Sequence, residues 1–467
     1  MSYEVHTVSR WKTIINIFKF LDNPIPLIDD TIKAVGHPSY RVHLGGINRS
    51  LMTQDPQVIQ HVLQKNHKNY HKSKIQTEGL AKYAGYGLIT TDGDYWLRQR
   101  RLIQPGFHKK KLQSIVALMN DEIINHIAQL KSAVGTAGIT LDITREMVNL
   151  TLKVVSRSLF SVSITEDQLD KIGYAVRTSQ VAVIKDIRQP MMKWWRKLTG
   201  EQKVYDESVR VGRELLMEII ETRKASTDRH DDLLDMLLSS RYEDTGEHMN
   251  STQILDEILI IFAAGHETTA NALTWTLYLL DQHPNILDRL QEEIKNTEIS
   301  AIPGYEDISR LSYGKQVISE SMRVFPPAWI TDRIALQDDE VNGIKIYKGE
   351  IIGIYIYGAH HSEDLWDNPS VVDPERFTPE NQKDIPAFAY FPFGGGPRLC
   401  IGQQFAWTEM QLALYHLIKH FDFKLIDGRQ VELEPLITLR PKDGMDMNIR
   451  SRDSHQSQTQ LMYKSYK

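Results

Sequence analysis

One cysteine, Cys400, stands in a chain of 467 residues. That excludes an internal disulfide and fits a reducing compartment. Long apolar runs are also missing. The opening stretch, MSYEVHTVSRWKTIINIFKF, is broken by Lys12 and Lys19. It offers neither a signal-peptide core with a small-residue cleavage site nor a membrane span, which takes ~20 apolar residues. The longest apolar stretch, residues 258–264, runs straight into Gly-His-Glu. Charge of one sign is scarce, with a formal net of −5. Nothing here calls for nucleic acid or a strongly anionic membrane as partner. Repeats, low-complexity linkers and glycine motifs for flavin or dinucleotide are absent as well. These absences lead to the expectation of a soluble, cytoplasmic protein. It is one fold unit over residues 1–452 with a polar tail, 453–467.

What the chain does have is helical spacing. Hydrophobic residues make up 41% and charged residues 25%, enough for a sizeable core. Apolar residues recur at three- and four-residue intervals in 112–130, 148–159, 209–220 and 233–238. A long helix is expected from Ser251-Thr252, with Asp256 and Glu257 in its opening turns, to His283 before Pro284. Residues 285–295 and 313–325 follow as helices. Strand-like alternation is confined to 40–46, 334–357, 421–428 and 431–441, with Asn342-Gly343 as a hairpin turn. The expected class is mainly α, with small β-sheets gathered at the two ends.

Cys400 lies in FPFGGGPRLCIG, followed by the amphipathic segment IGQQFAWTEMQLALYHLIKHF. A lone cysteine is ordinarily a small buried hydrophobe. Three glycines, however, mark backbone that bends freely or passes close to something. A cysteine just ahead of a helix start has a thiolate stabilised by unpaired amides. No catalytic-cysteine signature surrounds it. One thiolate is too few for zinc or an iron–sulfur cluster, but enough for a haem iron with a single protein axial ligand. Arg398 can reach a haem propionate.

The run Phe393-x-x-Gly396-x-Arg398-x-Cys400-x-Gly402 resembles the haem-binding signature of the cytochrome P450 superfamily. Three further motifs resemble that family in the right order. Glu320 and Arg323, three apart in LSYGKQVISESMRVFPP, resemble its buried Glu-x-x-Arg pair, with Arg376 of DPERF as the later arginine. In IIFAAGHETTANALTW, Ala264, Gly265, Glu267 and Thr268 resemble its central-helix motif. Trp96 and Arg100 in DGDYWLRQRRLIQPGF resemble its propionate-holding pair, and Arg333 a further propionate arginine. The likeness runs from about Tyr40 to Gly444. It implies the helix-rich triangular fold of that family, with haem b between a long central helix and the cysteine-loop helix. It also implies Cys400 as the iron ligand, and Phe393 beside the sulfur. Catalysis is then monooxygenation with O2, with protons passing through Glu267 and Thr268. Ala264 leaves room over the iron, and Gly265 with Thr268 opens the helical ladder locally. Adjacent His360 and His361 diverge and lack a third ligand, so they do not read as a metal site.

Electrons are expected from a separate ferredoxin and its NAD(P)H-dependent reductase. The run His108–Lys111 is a candidate docking patch, or else a solvated charge run. Around the substrate, family position suggests Ile89, Ala263, Trp329, Ile330 and Ile437, with Tyr83, Tyr86, Gln180 and His266 as polar candidates. Bulky Trp329 suggests a tight cavity. In overall impression the chain also resembles the soluble bacterial demethylases of 6-O-methyl-D-galactose, which release formaldehyde. The competing readings are a fatty-acid or hydrocarbon hydroxylase and a haem-thiolate sensor that never turns over.

Overall fold

In the computed structural model the described residues are 5–9, 11, 17–44, 48–300, 303–426, 428 and 430–452. The expected tail, 453–467, lies outside them. Helices form where the apolar spacing asks for them. Lys109–Val134 turns Leu112, Ile115, Met119, Ile123 and Leu130 inward on one stripe. The central helix, Ser251–Gln282, is capped by Asn250 and Gln253 in a reciprocal box, and Pro284 opens the next helix. Several helices escaped the spacing argument. Among them, Glu166–Arg188 mixes its apolar positions with charge, and Pro24–Val35 is short.

The core lies where the central helix crosses Ile143–Phe160. Phe160 and Phe262 stack there at 4.7 Å. A Cβ on Gly265 would meet Val155 Cγ2 at 3.2 Å, so that glycine sets how closely the two helices approach.

The sheets are not confined to the two ends. Mid-chain strands Ile351–Ile354 and Thr331–Ala335 join Asn48–Thr53, Ser39–Leu44 and Tyr70–His71 in one five-stranded sheet. Another sheet places Asp446–Ser451 between Ile139–Asp142 and Phe421–Leu425. Pattern reading finds strands but not their distant partners. The Asn342-Gly343 turn forms as expected, with φ of 51° and 76°. The expected strand through Tyr357 stops earlier, because Ile356–His361 is helical. Among the described residues, no helix is long and apolar enough to cross a membrane.

Candidate active site

The cysteine loop closes on itself. The Cys400 amide donates to the Phe393 carbonyl at 3.0 Å, and the Phe393 ring leans on Trp407 at 5.8 Å. Gly396 adopts φ +66°, and a Cβ there would lie 1.9 Å from the Leu63 carbonyl oxygen. Only glycine fits. The helix Gln403–His420 then begins three residues beyond the sulfur. The Cys400 side chain is exposed. Yet surrounding protein pushes its thiol up, against the Gly402 amide and the Arg100 charge. Both facts hold if the sulfur sits on an inner wall of the fold.

Cations converge beside it. Arg398 lies over the Trp96 ring at 3.8 Å, donates to the Thr91 carbonyl at 3.2 Å and pairs with Asp92. Buried Arg333 bonds to the Asp332 carbonyl. Burial lowers Arg100, with Cys400 opposing. Sequence reasoning missed a fourth member, Lys72, whose Nζ donates to the carbonyls of Leu88 and Ile89 at 2.7 and 2.6 Å. Burial holds Lys72 well below the usual lysine range, and Arg398 and Arg333 add repulsion. Arg98 turns away to Asp244 at 3.2 Å.

Glu320 and Arg323 are fully buried and bidentate, with both N–H···O distances 2.7 Å. Arg323 also donates to the His360 carbonyl at 3.0 Å, and Glu320 accepts the Asp373 amide at 2.9 Å. Arg376 corrects the expectation slightly. It approaches Glu320 at 3.7 Å without a hydrogen bond and donates instead to the Asn368 carbonyl.

On the central helix, Thr268 Oγ1 donates to the Ala264 carbonyl at 2.7 Å, and Thr269 Oγ1 to Gly265 at 3.0 Å. The helix runs unbroken through this stretch, with both hydroxyls bonded back within the turn. Glu267 is not bonded to Thr268. Its Oε1 accepts from Thr438 Oγ1 at 2.7 Å and its Oε2 from Gln180 Nε2. Burial raises its pKa, while Thr438, Arg440, Gln180 and Arg177 oppose.

A cavity of about 2230 Å³ opens from Ala263, Ala264, Glu267 and Thr268. Ile89, Tyr83, Gln180, Trp329, Ile330 and Ile437 line it, as expected by position. It continues to Leu27 on the Pro24–Val35 helix and to Met191. Trp329 bounds one part of this space, which reaches well beyond it. That indole donates to the Leu436 carbonyl at 2.9 Å and stands in the wall. Two polar candidates lie outside the lining. Tyr86 is 58% exposed, with its amide donating to Asp256 at 2.8 Å. His266 is buried, its ring nitrogen on the Phe262 carbonyl and its own carbonyl accepting from Thr151. Burial depresses its pKa to about 4.

Asp256 and Glu257 have a role that sequence reasoning missed. Asp256 holds the Tyr86 amide, and Glu257 Oε2 accepts the Leu88 amide at 3.0 Å. A Cβ on Gly85 or Gly87 would sit 2.4 or 2.6 Å from these carboxylates. The signal was the pair of glycines in GYGLIT. Burial pushes Glu257 up to about 8.

Compared with known protein families, residues 7–445 match Cytochrome P450. The chain belongs to the cytochrome P450 family. It is 31% identical to cyclooctatin synthase of Streptomyces melanosporofaciens, over 82% of this chain and 83% of that protein. It is 30% identical to cyclooctat-9-en-7-ol 5-monooxygenase of the same organism, over 82% of each. It is also 30% identical to 11-oxo-beta-amyrin 30-oxidase of Glycyrrhiza uralensis, over 85% of this chain and 78% of that one. The mostly helical architecture with small sheets is the cytochrome P450 fold, and the protein is a cytochrome P450 monooxygenase.

Membership implies a haem iron held by a cysteine thiolate, and the donor set fits it. One cysteine faces inward behind a glycine that no side chain can replace. Beside it Lys72, Arg100, Arg333 and Arg398 crowd together with Asp92 and Asp332 opposing. A group carrying two propionates neutralises such an excess of positive charge.

Proposed function

We propose that this cytochrome P450 inserts one oxygen atom from O2 into a C–H bond of a large apolar substrate. The haem, when bound through Cys400 with Arg100, Arg333 and Arg398 toward its propionates, supplies dioxygen binding and reductive activation. The protein supplies the rest. Ala264 leaves space on the cavity side, and the Thr268 hydroxyl and Glu267 carboxyl supply protons. Glu267 must first release Thr438 or Gln180 to turn toward Thr268, so proton delivery is gated by those two bonds.

The observation that carries the substrate reading is the cavity of about 2230 Å³, in which Ile, Leu, Val and Ala are the most frequent lining residues. A small methyl sugar such as 6-O-methyl-D-galactose fills little of it. A fatty acid, or a hydrocarbon of several rings, fills it and buries apolar surface at about 25 cal/mol per Å². Relatives whose names specify cyclooctat-9-en-7-ol and 11-oxo-beta-amyrin agree with the larger class.

Electrons come from a separate ferredoxin and reductase in this reading. Phe107 lies within 3.9 Å of a Cβ placed on Gly402, so the segment leading into His108–Lys111 borders the cysteine loop. In that run Lys111 pairs with Asp231 at 2.8 Å, and Lys109 covers the Tyr305 ring at 5.3 Å. Lys110 is exposed and has no ion pair among the described residues.

The test is a spectral titration of the haem-loaded protein with a long-chain fatty acid, a polycyclic hydrocarbon and 6-O-methyl-D-galactose. Product analysis follows with ferredoxin, reductase and NAD(P)H. The apolar compounds are expected to shift low spin to high spin and to be hydroxylated. A response to the sugar alone, with formaldehyde release, overturns the substrate reading. Binding without any product makes the protein a sensor.

A further inference from the structure

We propose that Gln180 is a two-sided amide. Its Nε2 holds the Glu267 carboxyl, and its Oε1 accepts a hydrogen bond from a hydroxyl on the substrate. The proposal rests on the apolar-substrate reading and narrows it, to an apolar molecule that carries a hydroxyl donor.

Gln180 projects from the helix Glu166–Arg188, is 6% exposed and lines the cavity. Its Nε2 donates to Glu267 Oε2. Its Oε1 is buried and has no partner among the described residues. The neighbouring bonds set which way the amide faces. Asn271 Nδ2 donates to Thr438 Oγ1 at 3.2 Å, which commits the Thr438 hydroxyl proton to Glu267 Oε1 at 2.7 Å. When ionised, Glu267 thus accepts at both oxygens, and a flipped Gln180 would set its carbonyl oxygen against Oε2.

An unpaired amide oxygen among apolar walls is costly, and a ligand that satisfies it gains the difference. The walls nearest Glu267 include Ala263, Ala264 and Ile437, none of which bears a side-chain donor. One other lining side chain has a buried polar atom without a partner, His43 Nδ1. It sits on the strand Ser39–Leu44, and its ring shares no bond with Glu267. Gln180 is therefore the point where a substrate hydroxyl and the proton-delivering acid meet through one side chain.

The experiment uses the haem-loaded protein and a matched pair of probes, 1-decanol and 1-methoxydecane. Both accept hydrogen bonds, and only the alcohol donates. Spectral and calorimetric titrations read each dissociation constant. The alcohol is expected to bind at least about tenfold tighter than the ether. In Gln180→Leu, and in the shape-conserving Gln180→Met, the ratio falls to about one through weaker alcohol binding, while ether affinity stays. Unchanged ether affinity also shows that the variants fold. Equal affinities in the unmodified protein, a preference for the ether, or a ratio that survives both variants overturns the proposal. So does an equal loss for both probes, which marks Gln180 as merely structural. These four results leave the apolar-substrate reading standing. Failure of both probes to bind the unmodified protein overturns that reading, and the proposal with it.

Discussion

On the cysteine side of the central helix, the loop holds itself. The Cys400 amide meets the Phe393 carbonyl in the same stretch of chain, and Glu320 meets Arg323 within one helical turn. On the cavity side, Glu267 and the loop before it in sequence lean on distant elements. Glu267 depends on Gln180 and Thr438, 87 and 171 residues away in sequence. Leu88 depends on Glu257, 169 residues away. The first region carries the chemistry common to the family, and its Glu320–Arg323 pair is bidentate. The second leaves Gln180 Oε1 and Glu257 Oε1 without partners. The ion pair and the bond that closes the cysteine loop are local in sequence. Substrate choice goes with geometry assembled from several segments, where an unpaired atom is available to a ligand.

Breaking the cysteine side should have the largest effect. Cys400→Ala is expected to abolish turnover and the thiolate-type absorption of the ferrous carbon-monoxide adduct. A spectrum left unchanged would refute the ligand assignment. Next, Arg323→Ala leaves the Glu320 charge buried without its bidentate partner, at a cost of about 3–5 kcal/mol in stability. Arg376→Ala should cost much less, since its approach to Glu320 lacks a hydrogen bond. Denaturant midpoints of the two variants compare them directly.

On the cavity side, Glu257→Gln tests a pH effect. The native carboxyl is pushed from 4.5 to about 8, mainly by burial. Between those values the folded chain keeps a proton that the unfolded chain has lost. Stability therefore falls as pH rises through that window, by up to ~1.4 kcal/mol per unit. The variant should show a shallower fall in unfolding midpoint between pH 5 and 8, and identical slopes would contradict the assignment. The smallest effect is expected outside both regions. Lys109→Glu with Lys110→Glu should slow ferredoxin-driven reduction several-fold at low salt and little at high salt. Unchanged low-salt kinetics would remove this patch as the docking surface.

Legibility in the sequence followed the same division. Cys400, Glu320–Arg323 and Ala264–Thr268 were readable through motifs that resemble those of the family, with helical spacing adding that Glu320 shares a face with Arg323 and Ala264 with Thr268. Asp256 and Glu257 looked like ordinary acids near a helix start, because nothing nearby in sequence shows that residues 85–88 lie against them. Lys72 carried no signal at all, Tyr86 was placed by position without knowledge of which way it turns, and the helical phase of His266 already pointed away from Ala264. Trp329 suggested a small cavity from its bulk, but its indole is held in the wall by the Leu436 carbonyl.

The residues alone determined the helical class, since it follows from short-range apolar spacing, while the cysteine ligand and the buried ion pair were legible through their resemblance to the family's motifs. Only the tertiary structure decided the size of the cavity, the partners of Glu267 and the anchoring of the loop over the central helix. Those depend on where segments far apart in the chain come to rest, and a cavity is the space that their packing leaves between them.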